Sequence, residues 1–169
     1  MELREYIRNI ENFPRYGVSF KDITPLLAAP DAFENAVDQM TKLAAPLEAD
    51  ILVSIESRGF IFGAPIALRL GIPFVPIRKD GKLPHMTNRL SYELEYGTDV
   101  VEIHADALTP GQKVLLVDDI IATGGTIDAA IELVEAMGAE IAGVCVLVDI
   151  TNLRSNQNLD DKIKSLVKY

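Results

Sequence analysis

A chain of 169 residues that is 49% hydrophobic and 24% charged is expected to form one domain, spanning 1–169, with its own core; it is not a disordered chain. Its net charge of −9 argues against general nucleic-acid binding. No apolar run reaches the length of a membrane span and the opening MELREYIRNI is not a signal peptide, so a cytoplasmic location with no membrane partner is expected.

Taken in chain order, Phe33, Ala36, Val37, Met40, Leu43, Ala44 and Leu47 keep helical spacing and predict an amphipathic helix over 31–47. Asp31 is its expected cap, with Glu34 three residues on. ILVSI (51–55) predicts a short apolar strand, followed by a helix over 60–70 that ends at Gly71. PFVPI (73–77) reads as a strand whose two prolines suit an edge or a bend. YELEYGTDVVEIH (92–104) alternates on either side of Gly97 as a hairpin does. KVLLV (113–117) predicts a third buried strand, 126–137 a helix ending before Gly138, and IAGVCVLV (141–148) a fourth strand. Cys145 lies inside that last run, where a buried, inert thiol is expected. Two histidines and one cysteine, widely separated, do not make a zinc site of the usual spacing.

Apolar strands separated by helices predict an α/β fold, a parallel sheet covered on both faces. Ligands bind such sheets beyond the carboxyl ends of the strands. Those ends carry Glu56-Ser57-Arg58-Gly59, then Arg78-Lys79, then Asp118-Asp119, then Asp149. The stretch RKDGKLPHMTNR (78–89) sets four basic residues against one acid, the concentrated basic patch of an acidic protein. It reads either as a solvated loop or as the binding surface of a small anion.

The loop Ala122-Thr123-Gly124-Gly125-Thr126 follows a strand and opens a helix. Its glycine amides, threonine hydroxyls and helix N-terminus suit a phosphate monoester, although GGT is also an ordinary strand-to-helix turn. Neither G-x-x-x-x-G-K-[ST] nor G-x-G-x-x-G occurs. Asp118 and Asp119, just before the loop, would repel phosphate but accept hydrogen bonds from vicinal hydroxyls. Acids and cradle together suit a sugar phosphate.

VLLVDDIIATGGT (114–126) resembles the phosphoribosyl-pyrophosphate signature of the type I phosphoribosyltransferase family. FPRYGVSFKDITPLL (13–27), SRGFIFGAPIA (57–67), RKDGKLP (78–84), SYELEYGTD (91–99), EIHADAL (102–108) and the closing SLVKY resemble, in order, segments of its adenine-specific branch. That resemblance implies a Rossmann-like core with a small β-hairpin hood, mobile over about 78–96. It also implies transfer of the phosphoribosyl group of phosphoribosyl pyrophosphate (PRPP) to adenine, giving AMP and pyrophosphate, with Mg²⁺ bound mainly through the substrate.

Carried over by position, Asp118 and Asp119 hold the ribose hydroxyls and balance positive charge on the sugar. Ala122, Thr123, Gly124, Gly125 and Thr126 hold the phosphate. Glu56-Ser57-Arg58-Gly59 forms the pyrophosphate loop, with Arg58 and the loop's backbone amides on the leaving group and a cis bond expected between Glu56 and Ser57. Arg78, Lys79 and Lys82 lie near pyrophosphate, and a homodimer is implied in which Arg78 reaches the neighbouring site. Tyr92 and Tyr96 cover the sugar, and Glu95 takes the proton of the base ring. Ser19, Phe20 and Lys21 hold adenine largely through backbone groups, sandwiched against Ile120. Some positions depart from the branch. Tyr16 stands where proline is common, Ser19 where an aliphatic often packs on the ring, and Glu56 in place of a common aspartate; TNLRSNQNL (151–159) lacks the usual glycine-and-basic pattern. Two other readings remain open at this point: a different purine base, or a regulator of the same fold that senses PRPP without turning it over. Acidity and the lack of an added helical domain oppose the second, and A-T-G-G-T with SYELEYG favours adenine.

Overall fold

The computed structural model describes residues 1–94, 97–155 and 161–169. A short 3₁₀ turn, Leu3–Tyr6, leads into a two-stranded antiparallel ribbon, β1 (Arg8–Glu11) and β2 (Ser19–Asp22). Asp22 then accepts from the backbone and hydroxyl of Thr24, at 2.9 and 2.8 Å, and so starts helix α1 (Thr24–Leu27).

Helix α2 (Pro30–Ala44) corrects one expectation. Asp31 does not cap it: Ala29 is the N-cap, with no side-chain hydrogen bond. Pro30 at the first helical position explains this, because its fixed φ starts the helix and its missing N–H needs no partner there. Asp31 instead sits in the first turn, where a negative charge suits the helix dipole. The far end tightens into a 3₁₀ turn at Ala45–Leu47, where Pro46 has no N–H to continue the α pattern.

Then come β3 (Ile51–Ile55), α3 (Gly59–Leu70), β4 (Phe74–Lys79), the hairpin β5 (Thr87–Leu94) and β6 (Gly97–His104), β7 (Lys113–Ile121), α4 (Gly125–Ala136), β8 (Glu140–Asp149) and β9 (Ile163–Lys168). They form a seven-stranded sheet ordered β5-β6-β4-β3-β7-β8-β9. Strands β4, β3, β7, β8 and β9 run parallel, and the hairpin adds two antiparallel strands at one edge. Helices α2 and α3 cover one face around Leu52, Phe62, Leu115 and Val117; α4 covers the other around Val53, Leu116, Ile131 and Val134. Cys145 is fully buried, and burial pushes its thiol up to about 12, as expected of an inert position.

Strand β9 and the β1–β2 ribbon were not foreseen. The last residue, Tyr169, ties these pieces together: its ring lies 4.5 Å from the Arg4 guanidinium and 4.2 Å from the Lys21 ammonium. Such stacking on an aromatic face holds the ribbon against the end of β9.

The chain passes from β3 to β4 on one side, then crosses back to place β7 on the other side of β3. The strand order therefore reverses between β3 and β7, and a crevice opens at their carboxyl ends.

Candidate active site

Strand β7 runs further than the apolar run KVLLV predicts. Its pairing with β3 ends at Val117, opposite Ser54, but its pairing with β8 continues through Asp118, Ile120 and Ile121. The acids thus sit within the strand, on an overhang whose other edge is freed where β3 turns away. A cavity of about 500 Å³ opens there, lined by Arg58, Arg78, Lys79, Asp118, Asp119 and the 122–126 loop, with Glu56, Ser57, Tyr92, Asp99 and Ile120 around them. That volume suits a small-molecule ligand.

The turn from β3 to α3 presses on the acids. The Glu56–Ser57 peptide bond is cis, as the resemblance implied. Arg58 then points its Nε at Asp119 Oδ2, 2.8 Å away. Burial pushes both carboxyls upward; Asp119 adds to the rise at Asp118, and Arg58 opposes it at Asp119. Asp118 is partly covered and lines the crevice.

The loop 122–126 lines the cavity and leads into α4. Gly124 caps α4 in a left-handed conformation, φ 94°, which a side chain would resist. The Thr123 carbonyl is braced from outside by the amide and hydroxyl of Ser155, at 3.1 and 3.0 Å. Thr126 lies 3.4 Å from the Tyr92 hydroxyl, linking cradle to hairpin.

On the basic side, Arg78 Nε meets Glu56 Oε2 at 3.1 Å and the Lys79 amide donates to the same oxygen at 2.8 Å. These contacts, Arg78 foremost, hold Glu56 below the usual carboxylate range. Arg78 lines the cavity of its own chain. Lys79 pairs with Asp99 at 3.1 Å, an acid the sequence reading missed. Lys82 is exposed on the following loop, outside the cavity lining itself but near enough for its charge to act on Glu56 in that lining. Glu95 and Tyr96 lie outside the described residues, as does 156–160 of the divergent segment.

Ser19, Phe20 and Lys21 also lie outside the cavity lining, on β2 beside it. Strand alternation separates them. Ser19 and Lys21 both bond Asn9 Oδ1, at 2.6 and 2.7 Å, while the Phe20 ring lies 5.6 Å from the Arg58 guanidinium. Phe20, rather than Ser19, is the side chain turned towards the site.

These shifts give a pH dependence. Glu56 and the buried Glu102 sit below 4.5, so each contributes stability above about pH 4.5 that is lost as pH falls through the folded value. Asp118 and Asp119 have raised values, so their ionisation costs stability that returns as pH falls from neutral through those values. The urea midpoint is expected to rise from pH 7 into the mildly acidic range, then fall below about 4.5. In Asp118→Asn/Asp119→Asn the rise should shrink; an unchanged rise would contradict the burial of the pair.

Residues 24–168 match the model of the phosphoribosyl transferase domain. The chain belongs to the phosphoribosyltransferase family, and its mostly parallel seven-stranded sheet, flanking helices and small antiparallel hairpin are those of the type I fold. Within that family its relatives are adenine phosphoribosyltransferases. The one from Pseudothermotoga lettingae is 46% identical over 170 residues, covering 100% of both chains. The crystal structure of the Thermoanaerobacter pseudethanolicus enzyme is similar with a TM-score of 0.94 at 47% identity, over 99% of this chain and 98% of that one. That of the Giardia lamblia enzyme, complexed with 9-deazaadenine, gives 0.91 at 35%, over 99% and 96%.

Proposed function

We propose that this single-domain chain transfers the phosphoribosyl group of PRPP to adenine, releasing AMP and pyrophosphate, and so recovers a free purine by salvage. The observation that carries the reading is the cavity at the β3–β7 switch point, which sets paired acids, an anion cradle and a basic rim around one space.

In this reading a ring nitrogen of adenine forms its bond to the anomeric carbon as the bond to pyrophosphate breaks. Asp118 and Asp119 hold the ribose hydroxyls and offset positive charge on the ring, while Ala122 to Thr126 hold the 5′-phosphate through amides and hydroxyls. Ser57, Arg58, Arg78, Lys79 and Lys82 receive the departing diphosphate. Tyr92 and Tyr96 cover the sugar, and Glu95 takes the proton of the base. The basic loop after β4 closes over the site and excludes water from the cationic sugar.

Among the described residues no group of three or more His, Cys, Asp or Glu side chains converges. Two carboxylates fit Mg²⁺, which keeps waters and substrate oxygens as its main ligands. It would arrive mainly through the oxygens of PRPP, beside the carboxylates of Asp118 and Asp119, and when bound it supplies neutralising charge to the diphosphate.

For the base, a two-stranded ribbon leaves alternate N–H and C=O groups of β2 unclaimed by β1. Such an edge offers an acceptor to the amino group of adenine and a donor to its ring nitrogen. A 9-deazaadenine complex of a relative agrees with a site for that base. Phe20 packs on the ring from one side and Ile120 from the other.

We place the enzyme in the cytoplasm as a homodimer. Ile61, Ala64 and Leu68 line one exposed stripe of α3, next to Arg58, which a second copy would cover. Incubation with PRPP, Mg²⁺ and adenine tests the reaction: AMP and pyrophosphate should appear in equal amounts, and neither should form without enzyme. PRPP binding with no nucleotide formed would point to a sensor instead.

A further inference from the structure

Glu102 is a charged side chain with no exposed surface, placed in the middle of β6 rather than in the cavity. A buried carboxylate is costly unless its oxygens are all engaged. Here Oε1 accepts the amides of both Lys82 and Leu83, each at 2.9 Å, and Oε2 faces Arg89 Nε at 3.2 Å. Burial pushes its pKa up, but the Leu83 and Lys82 amides, Thr87 and Arg89 together bring it below the ordinary value.

Those partners all belong to one stretch of chain. Lys82 and Leu83 leave the Asp80–Gly81 turn after β4, which the Lys82 amide closes on the Lys79 carbonyl at 3.3 Å. Arg89 lies on β5, directly across from Glu102, and also pairs with Asp80 at 3.1 Å. Arg78 lies across from Glu102 on the other side, on β4. One buried carboxylate therefore fixes both stems of the basic loop to the strand between them.

We propose that Glu102 is the positioning residue of this loop: it holds the Lys82–Leu83 backbone from beneath and so presents Lys82 to the diphosphate end of the cavity. This rests on the phosphoribosyl-transfer reading. Glu102 touches no substrate and acts through Lys82. An amide side chain cannot replace it, because one oxygen cannot serve two loop amides and an arginine while its NH₂ faces further donors.

The test is a double-mutant cycle of Glu102→Gln with Lys82→Ala. Glu102→Gln should raise the KM for PRPP about tenfold, with kcat and the KM for adenine changed by less than about twofold. In the Lys82→Ala background the same change should add less than about twofold, since the two residues act as one. Additive effects, or an equal rise in the KM for adenine, would overturn the proposal. Amide exchange without substrate supplies a readout independent of catalysis. Lys82 and Leu83 should exchange about tenfold faster in Glu102→Gln while core strands stay protected, and unchanged exchange would refute the clamp. If wild type forms no nucleotide, the functional reading fails and exchange alone decides the clamp. Should Glu102→Gln not fold, Glu102→Asp, which keeps the charge but not the reach, carries the same expectations.

Discussion

Asp118→Asn combined with Asp119→Asn is expected to remove most turnover, about 10²–10³-fold or more, without lowering the melting temperature. Both carboxyls are pushed upward, chiefly by burial, so in wild type their charge is held at a cost to the fold. Asparagine relieves that cost, while the strand beneath keeps its pairing to β8 through main-chain groups. Arg58 loses its charged partner but stays about half exposed, at 45%, and can turn to water. On the proposed reading, what disappears is the negative charge beside the sugar, which offsets positive charge developing there. Circular dichroism and thermal melting check the fold, and a coupled assay for AMP checks turnover. A folded variant working at the wild-type rate would remove the acids from the mechanism.

Gly59→Ala should be the second most damaging change, although Gly59 does not line the cavity. A Cβ built there would lie 2.8 Å from Asp118 Oδ1, 3.0 Å from Ser54 Oγ and 3.1 Å from the Val117 carbonyl. Ser54 itself donates to that carbonyl at 3.0 Å, so neither neighbour can yield without disturbing the join between β3 and β7. The methyl must displace Asp118. A misplacement of that order costs about 10²-fold in rate, and overpacking costs about 1–3 kcal/mol in stability. Gly143→Ala is the control. Its Cβ would meet Leu47 Cδ1 at 2.6 Å, the end of a flexible side chain far from the cavity lining. Turnover should survive there with a modest loss of stability. Equal loss of activity in both variants would show a general packing defect instead of displacement of Asp118.

The parallel core was legible because β3, β7 and β8 are buried on both faces and read as unbroken apolar runs. The acids and the cradle were legible for a related reason: they are contiguous in sequence, from Asp118 to Thr126, and need no tertiary partner to be seen. The ribbon was not. Strands β1 and β2 are four residues each, mostly exposed or half-covered and rich in charge, so no apolar period marks them. Strand β9, IKSLVK, breaks the period of two at Ser165 and Leu166 and takes its place from pairing with β8. Pro30 displaced Asp31 as the helix start, a local rule that outranked the capping pattern. Asp99, Ser155 and the Glu56–Arg78 pair enter the site only through register and turn geometry, which spacing along the chain does not reveal. The same holds for the face on which Phe20 lies.

The central claim is that this cavity transfers a phosphoribosyl group to adenine in preference to other purines. It is tested most directly by measuring kcat/KM for adenine, hypoxanthine and guanine with saturating PRPP and Mg²⁺. A 6-oxopurine presents an acceptor where adenine presents its amino donor, so main-chain groups matched to adenine would be left facing like groups. Mismatch of that kind can reject an analogue by about 10⁴-fold. The account predicts adenine ahead by roughly that margin. Comparable values for adenine and hypoxanthine would contradict it, and would mean that the ribbon edge at Ser19 to Lys21 does not read the base.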